Sequence, residues 1–287
     1  MSPRIRLGVG HVSDHRGKPG WRVIFCLVFV LVTLGWYLLR GMSRWSSRAR
    51  RAVAAGAPYT RFAHQWVLSA PATFTYVVVF TSSTILQRTG PPDLIDVLTT
   101  FQSTNLVRLS DNPLVVLADS ALWVSDRGAF LAFYVIVYAT VVAWAEQRYG
   151  TPRIIVIGLC GHVFGSLLTA LVEYRAITTG LAPARLAVST DVGVSYIMVA
   201  GVVAAVVLMR GRWRAVWIIA LTVGVGAPIV ISRTVWDLGH PLATVCGLVA
   251  ALICLRVAPP RPPPAFDLGK WGMSPSSPVL GGNDGAG

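Results

Sequence analysis

Two polar residues in the apolar second half of the chain have side chains that could act together in catalysis. Ser195 lies four residues into one apolar segment, and His240 lies about three residues into another, two segments later. A serine hydroxyl becomes an effective nucleophile when a neighbouring base takes its proton, and an imidazole can act as that base near neutral pH. The two residues are therefore candidates for a Ser–His catalytic dyad.

The apolar segments that carry these residues must place them at the same height. Consecutive membrane spans alternate in direction, so two spans separated by a third run the same way. With a rise of about 1.5 Å per helical residue, Ser195 and His240 are predicted to lie a few ångströms below the same membrane surface.

The composition is typical of a membrane protein. The chain has 287 residues, of which 54% are hydrophobic and 13% charged, and its mean hydropathy is +0.62. Its net charge of +13 comes from arginines in short breaks between apolar runs, a pattern that membrane topology explains and that argues against nucleic-acid binding. The cysteines lie inside apolar segments without metal-site spacing, and they are predicted to be small packing residues: Cys26, Cys160, Cys246 and Cys254.

The apolar segments are long enough to cross a hydrocarbon core of about 30 Å as helices. We predict an all-α, polytopic membrane helix bundle with a six-helix core at 66–257, and a long loop at 87–128 that is partly structured. A basic segment, 1–65, precedes the core. A Pro- and Gly-rich tail, 258–287, is predicted to be a disordered cytoplasmic segment. The predicted core spans are 66–86, 129–145, 153–172, 191–209, 213–231 and 238–257.

The first apolar run has two readings, and both stay open. In one, residues 23–40 form an extra transmembrane helix, which leaves the basic residues of 1–22 outside the cell against the usual charge bias. In the other, synthesis starts at Met42, which would begin a basic cytoplasmic N-terminus.

The arginine and lysine distribution orients the core. If 40–61 is cytoplasmic, the inner segments carry more than twice as many basic residues as the outer loops over a similar length. This bias predicts a multi-pass protein of the cell membrane with Ser195 and His240 near the extracytoplasmic side.

Three motifs resemble those of one family, the rhomboid intramembrane serine proteases. They are E-Q-R-Y-G-T-P-R-I-I-V-I-G-L at 146–159, G-V-S-Y at 193–196 and G-H-P-L-A-T-V-C-G at 239–247. The resemblance implies a rhomboid-like six-helix core that encloses a water-filled cavity and cleaves transmembrane protein substrates without a cofactor or metal. Ser195 would be the nucleophile and His240 the general base. The resemblance also assigns small residues that let the helices approach closely: Gly193, Gly201, Ala243 and Gly247.

The chain departs from the rhomboid pattern around the oxyanion site. Tyr196 follows the candidate nucleophile where the family has glycine. Phe130 and Tyr134 stand where the family has the histidine and asparagine of its oxyanion motif. Gly193, Tyr134 and Tyr196 are therefore the candidates for an oxyanion or supporting role. The alternative function is a catalytically inactive rhomboid-like protein, a pseudoprotease, that binds transmembrane clients in the bilayer.

The remaining polar residues near the candidate dyad have simpler interpretations. Asp191 is predicted to be the N-cap of its helix, His162 a hydrogen-bonded interior histidine, and Asp237 with Arg233 a loop ion pair. A zinc hydrolase would need about three ligands on facing helices, and the spans offer two histidines with Asp191 or Asp237 as a third ligand. A transporter would show paired broken helices in repeated halves, which the sequence lacks.

Overall fold

The computed structural model describes residues 21–124, 128–231 and 235–264, and the regular secondary structure in these ranges is helical, with no β-strand among them. The predicted all-α fold is confirmed. The chain divides into two units, the first ending at Phe62 and the second beginning at Ala63.

Two helices form the described part of the first unit. Helix α1 runs over Trp21–Met42, and α2 over Ser47–Leu68, so that α2 ends in the second unit. The Trp36 ring lies against Gly56, where a Cβ would be only 2.6 Å from the ring, and so brings the two helices into contact. The extra N-terminal helix predicted at 23–40 coincides with most of α1. The basic residues 1–20 lie outside the described residues.

Helix α3, Pro71–Thr89, begins shortly after α2 ends, so the predicted span at 66–86 is interrupted. A proline at the first helical position has no N–H that would need a partner there. The next two amides are capped by a residue remote in sequence. The Glu146 carboxylate accepts the backbone N–H groups of Ala72 at 3.0 Å and Thr73 at 2.8 Å.

The long loop predicted to be partly structured contains three short helices. These are α4, Pro92–Phe101; α5, Leu106–Asp111; and α6, Pro113–Ser120. The Asn105 side chain caps α5 by accepting the Arg108 N–H at 3.0 Å.

The next span is one helix with a π turn inside it. Helix α7, Leu131–Val137, passes through the π turn Tyr138–Val142 into α8, Ala143–Tyr149. Gly150 follows with a φ of 84°, a left-handed conformation that favours glycine, and the chain turns into α9, Thr151–Thr178.

The centre of the second unit is formed by α9 together with α10, Val194–Leu208, and α12, Val235–Val257. A short 3₁₀ turn, Ala184–Val188, precedes α10, and α11, Gly211–Ile231, lies between α10 and α12 in sequence. A Cβ on Gly165 would lie 2.9 Å from Ala243, so the small residues allow α9 and α12 to pack backbone against backbone.

Among the described residues, three helices are long and apolar enough to cross a membrane: α9, α11 and residues 237–257 of α12. The bent pair α2 and α3 would make a fourth span, and α10 is a shorter apolar helix of 15 residues. Beyond α12, the described residues 258–264 run along the bundle, where Arg153 donates to the Ala258 carbonyl at 2.7 Å. The rest of the predicted tail, 265–287, lies outside the described residues.

Candidate functional site

Ser195 and His240 lie near the N-terminal ends of the two helices that carry them. Ser195 is in the first turn of α10, and Gly193 is the N-cap residue of that helix. His240 is in the second turn of α12, just before Pro241. Both side chains are half-buried.

Tyr196 contacts the His240 ring. The two ring centroids are 5.3 Å apart, with the planes at 80°, in an edge-to-face contact. Gly239 makes room for this tyrosine, since a Cβ at that position would overlap the Tyr196 hydroxyl. The structure therefore brings His240, Gly239 and Tyr196 together.

The α10 face that carries Tyr196 contacts α12 again one turn further on. Ala200 follows Tyr196 by four residues, and a Cβ on Gly247 would lie 2.6 Å from it. Residues four apart share one helix face, whereas adjacent residues differ by about 100° around the axis. Ser195 is therefore turned by about 100° from the face that Tyr196 and Ala200 present to α12.

Asp191 binds the hydroxyl of Tyr196, whose ring contacts His240. Its Oδ2 accepts the Tyr196 hydroxyl at 3.2 Å and the Thr104 hydroxyl at 2.9 Å. Its own N–H donates to the Ser103 hydroxyl at 2.5 Å, which ties the start of α10 to the segment between α4 and α5. The prediction that Asp191 is the N-cap was wrong: Gly193 occupies that position, because the helix begins later than the apolar pattern indicated.

Burial raises the pKa of Asp191 to about 6, although hydrogen bonds from Thr104, Tyr196 and the Val192 amide lower it. Removal of a carboxylate from water disfavours its charged form, whereas donated hydrogen bonds favour that form. The desolvation effect is the larger of the two. Asp191 therefore changes charge near neutral pH.

Gly193 is engaged in packing and in a backbone hydrogen bond. A Cβ at this position would overlap the His162 ring, and the Gly193 N–H donates to the Ser120 carbonyl at 2.8 Å. His162 is buried, and its Nε2 lies 2.8 Å from the Leu117 carbonyl oxygen and 3.3 Å from the Ser120 hydroxyl. The predicted hydrogen-bonded interior histidine is confirmed.

The predicted ion pair of Asp237 with Arg233 includes a residue, Arg233, that lies outside the described residues. Asp237 itself is buried in the first turn of α12. It therefore belongs to the helix that carries His240, whereas the sequence predicted a loop position for it.

Tyr134 lies in α7, half-buried, with its ring centroid 6.0 Å from that of Phe133. One turn further on, in the π turn, Tyr138 donates its hydroxyl to the Val194 carbonyl at the start of α10, at 2.8 Å. Tyr138 was not among the predicted site residues, because donors were expected only at the positions that the resemblance assigned.

His162 is the first residue of a buried polar stripe on α9 whose other members were not predicted from the sequence. His162, Ser166, Thr169 and Glu173 follow one another at spacings of four, three and four residues, and all are buried. This spacing places them on one helix face, and a search for polar residues at that period inside an apolar span would have found them. The Glu173 carboxylate interacts electrostatically with Asp191, so the stripe leads to the start of α10.

The remaining predicted packing positions lie at helix contacts. A Cβ on Gly201 would lie 2.9 Å from the Val142 side chain, next to the π turn. Ala243 is fully buried between α9 and α12. These residues bring α10 and α12 close to their neighbours.

His162 also lines an apolar cavity of about 540 Å³. Tyr76, Leu117, Tyr138 and Leu159 are among the other side chains that line it. Within the described ranges, no group of three or more His, Cys, Asp or Glu residues is arranged to hold a metal ion.

A comparison with family models identifies the chain. The model described as "Rhomboid-like protein" matches residues 65–258, well over half of the 287 residues. Comparisons with curated proteins and with solved structures gave no match. The matched range contains the helices that carry Ser195, Tyr196 and His240, and several of its helices are apolar enough to cross a bilayer. The chain therefore belongs to the rhomboid-like family and is a multi-pass membrane protein.

Proposed function

We propose that this rhomboid-like protein binds transmembrane segments of other membrane proteins and does not hydrolyse peptide bonds. The observation that carries the proposal is the edge-to-face contact of Tyr196 with His240 at 5.3 Å. A tyrosine ring thus packs against the candidate base, and the hydroxyl of this tyrosine donates to Asp191.

Helix geometry supports the absence of a nucleophile at this face. Hydrolysis by a Ser–His pair requires the imidazole to receive the serine proton as the hydroxyl attacks. Ser195 is turned by about 100° from the Tyr196 direction.

The surroundings of the candidate oxyanion site support the same conclusion. The Gly193 amide donates to the Ser120 carbonyl and so serves a structural bond. Phe130 and Tyr134 replace the donors that the rhomboid pattern would supply. Loss of one oxyanion donor typically lowers kcat by about 10²–10³-fold.

Helix α11 is our candidate for the client-binding element. None of its 21 residues, all of which the structure describes, is buried. Gly224, Gly226 and Pro228 lie in its second half, and proline weakens the local helical hydrogen bonding. A helix that packs this loosely leaves an apolar surface on which a second transmembrane helix can pack by van der Waals contact.

A protease is the second candidate function, because Ser195 directly precedes the residue that contacts His240. A fluorophosphonate probe separates the two functions. We expect the wild type in membranes to be labelled no more than Ser195→Ala. Labelling of the wild type that disappears in both Ser195→Ala and His240→Ala would establish catalysis and overturn the proposal.

Client binding is tested by site-specific photocrosslinking. A photoreactive residue at Ile219, on α11, is compared with one at Val78, on α3; the two side chains are 63% and 65% exposed. We expect crosslinks to the transmembrane segments of other proteins, mapped by mass spectrometry, at Ile219 well above those at Val78. Equal yields at the two positions would show that α11 is not the client surface.

A further inference from the structure

A second cavity lies at the end of the bundle where α10 passes into α11. It has a volume of about 1010 Å³ and is bounded by α8, the end of α10, the start of α11 and the residues after α12. This end is predicted to be cytoplasmic from the arginine distribution, and it lies at the opposite end of α10 from Ser195.

The chemistry of this cavity is basic and aromatic. Three arginines line it, and no aspartate or glutamate is among the described residues that do so. Four tryptophans share the lining with these arginines. The arginines are Arg148, Arg210 and Arg214, and the tryptophans are Trp66, Trp144, Trp213 and Trp217.

One of the arginines has an unused donor. The Nε of Arg148 is buried and has no hydrogen-bond partner among the described residues. The Arg148 carbonyl, by contrast, is occupied, since it accepts the Arg261 N–H at 2.7 Å. A buried guanidinium donor without an acceptor loses the free energy of a hydrogen bond, so an acceptor supplied from outside the chain would stabilise it.

We propose that this cavity binds an anionic phospholipid, with the headgroup phosphate on Arg148, Arg210 and Arg214 and the acyl chains beside the tryptophans. A guanidinium group donates two parallel hydrogen bonds to phosphate oxygens. Tryptophan is enriched at the level of lipid headgroups, because its ring is apolar and its N–H is polar. Basic pockets between helices on the cytoplasmic side are suited to anionic headgroups.

The arginines have a matched control in the same turn. Arg212 lies between Arg210 and Arg214 in sequence and is exposed as they are, but it does not line the cavity. Its guanidinium lies 5.7 Å from the Trp213 ring centroid. Substitution of Arg212 removes the same charge from the same surface and leaves the cavity lining intact.

The test is native mass spectrometry of the purified full chain in detergent, titrated with phosphatidylglycerol, with phosphatidylcholine, or with inorganic phosphate. We expect retention of phosphatidylglycerol over phosphatidylcholine. A hydrogen bond to a charged group contributes about 1.5–3 kcal/mol, so Arg210→Gln and Arg214→Gln should each weaken retention by about tenfold or more. Arg212→Gln removes only surface charge and should weaken it by about fivefold at most.

Three results would overturn the proposal. Equal retention of the two lipids would show that the headgroup charge is not recognised. Competition by inorganic phosphate at the concentration of the lipid would indicate a site for free phosphate. An Arg212→Gln effect as large as that of Arg210→Gln would indicate general surface charge. Melting curves without lipid verify that each variant is folded, and a variant that is unfolded is replaced by the corresponding methionine substitution, which also removes the charge.

Discussion

Tyr196 lies between two ionisable side chains: its ring meets the His240 ring edge on at 5.3 Å, and its hydroxyl donates to Asp191 at 3.2 Å. One residue thus links the start of α10 to α12 and to the segment that precedes α10. The contact requires Gly239, since a Cβ there would overlap the tyrosine hydroxyl. Three elements of the candidate site therefore depend on the position of one ring.

Gly239→Ala tests this arrangement. The added methyl group must displace Tyr196, and overpacking of this kind typically costs about 1–3 kcal/mol of unfolding free energy. We expect that loss in denaturation measured in detergent. In a Tyr196→Ala background the same substitution should cost little, because the overlapping atoms are gone. An equal cost in both backgrounds would show that Gly239 and Tyr196 are not coupled.

Asp191 should make stability depend on pH. Its folded-state pKa of about 6 lies above the ordinary value of 3.8, so the folded protein binds the proton more tightly. Its contribution is therefore fully present below about pH 4 and is lost as the pH rises to about 6, on the order of 3 kcal/mol in total. Asp191→Asn should flatten this part of the stability curve, whereas the exposed Asp93→Asn should leave it unchanged. A wild-type slope retained in Asp191→Asn would contradict the prediction.

Two glycine substitutions in neighbouring helices should have opposite effects. A Cβ on Gly247 would lie 2.6 Å from the Ala200 backbone, so Gly247→Ala must separate α10 from α12. We expect a loss of about 1–3 kcal/mol of unfolding free energy. A Cβ on Gly224, in α11, would meet no atom of the described residues within 4 Å. Gly224→Ala should be neutral or stabilising, because alanine favours the helix by about 1 kcal/mol. Similar destabilisation by both would refute the close packing at Gly247.

Glu146 should be important for stability rather than for chemistry. Its carboxylate accepts three hydrogen bonds, from the Ala72 and Thr73 amides and from the Thr151 hydroxyl at 2.7 Å. Glu146→Ala leaves these donors without their acceptor, at about 1–3 kcal/mol for each buried group. Glu146→Gln keeps one acceptor oxygen and should recover part of the loss. Thermal unfolding in detergent measures both, and identical behaviour of the two variants would contradict the capping role.

Much of the fold could be predicted from the sequence. Apolar runs of 17 to about 20 residues between arginine-rich breaks predict membrane helices, because length and hydropathy are properties of each segment by itself. The helix ends were less predictable. The predicted span 191–209 begins at Asp191, but this residue donates its N–H to the Ser103 hydroxyl and accepts the Thr104 hydroxyl, which holds the stretch before Gly193 outside the helix.

The candidate site, like the fold, could be predicted only in part from the sequence. The sequence by itself determined that Ser195 and His240 lie near the starts of two helices with the same predicted direction, since depth follows from counting residues along the chain. The tertiary structure decided which side chain faces His240. Rotation about the helix axis depends on how α9, α10 and α12 pack, and a shift of one residue turns the facing side chain by about 100°. That rotation places Tyr196 against His240 and turns Ser195 aside, because Gly239 and Gly247 accept the α10 face that carries Tyr196 and Ala200.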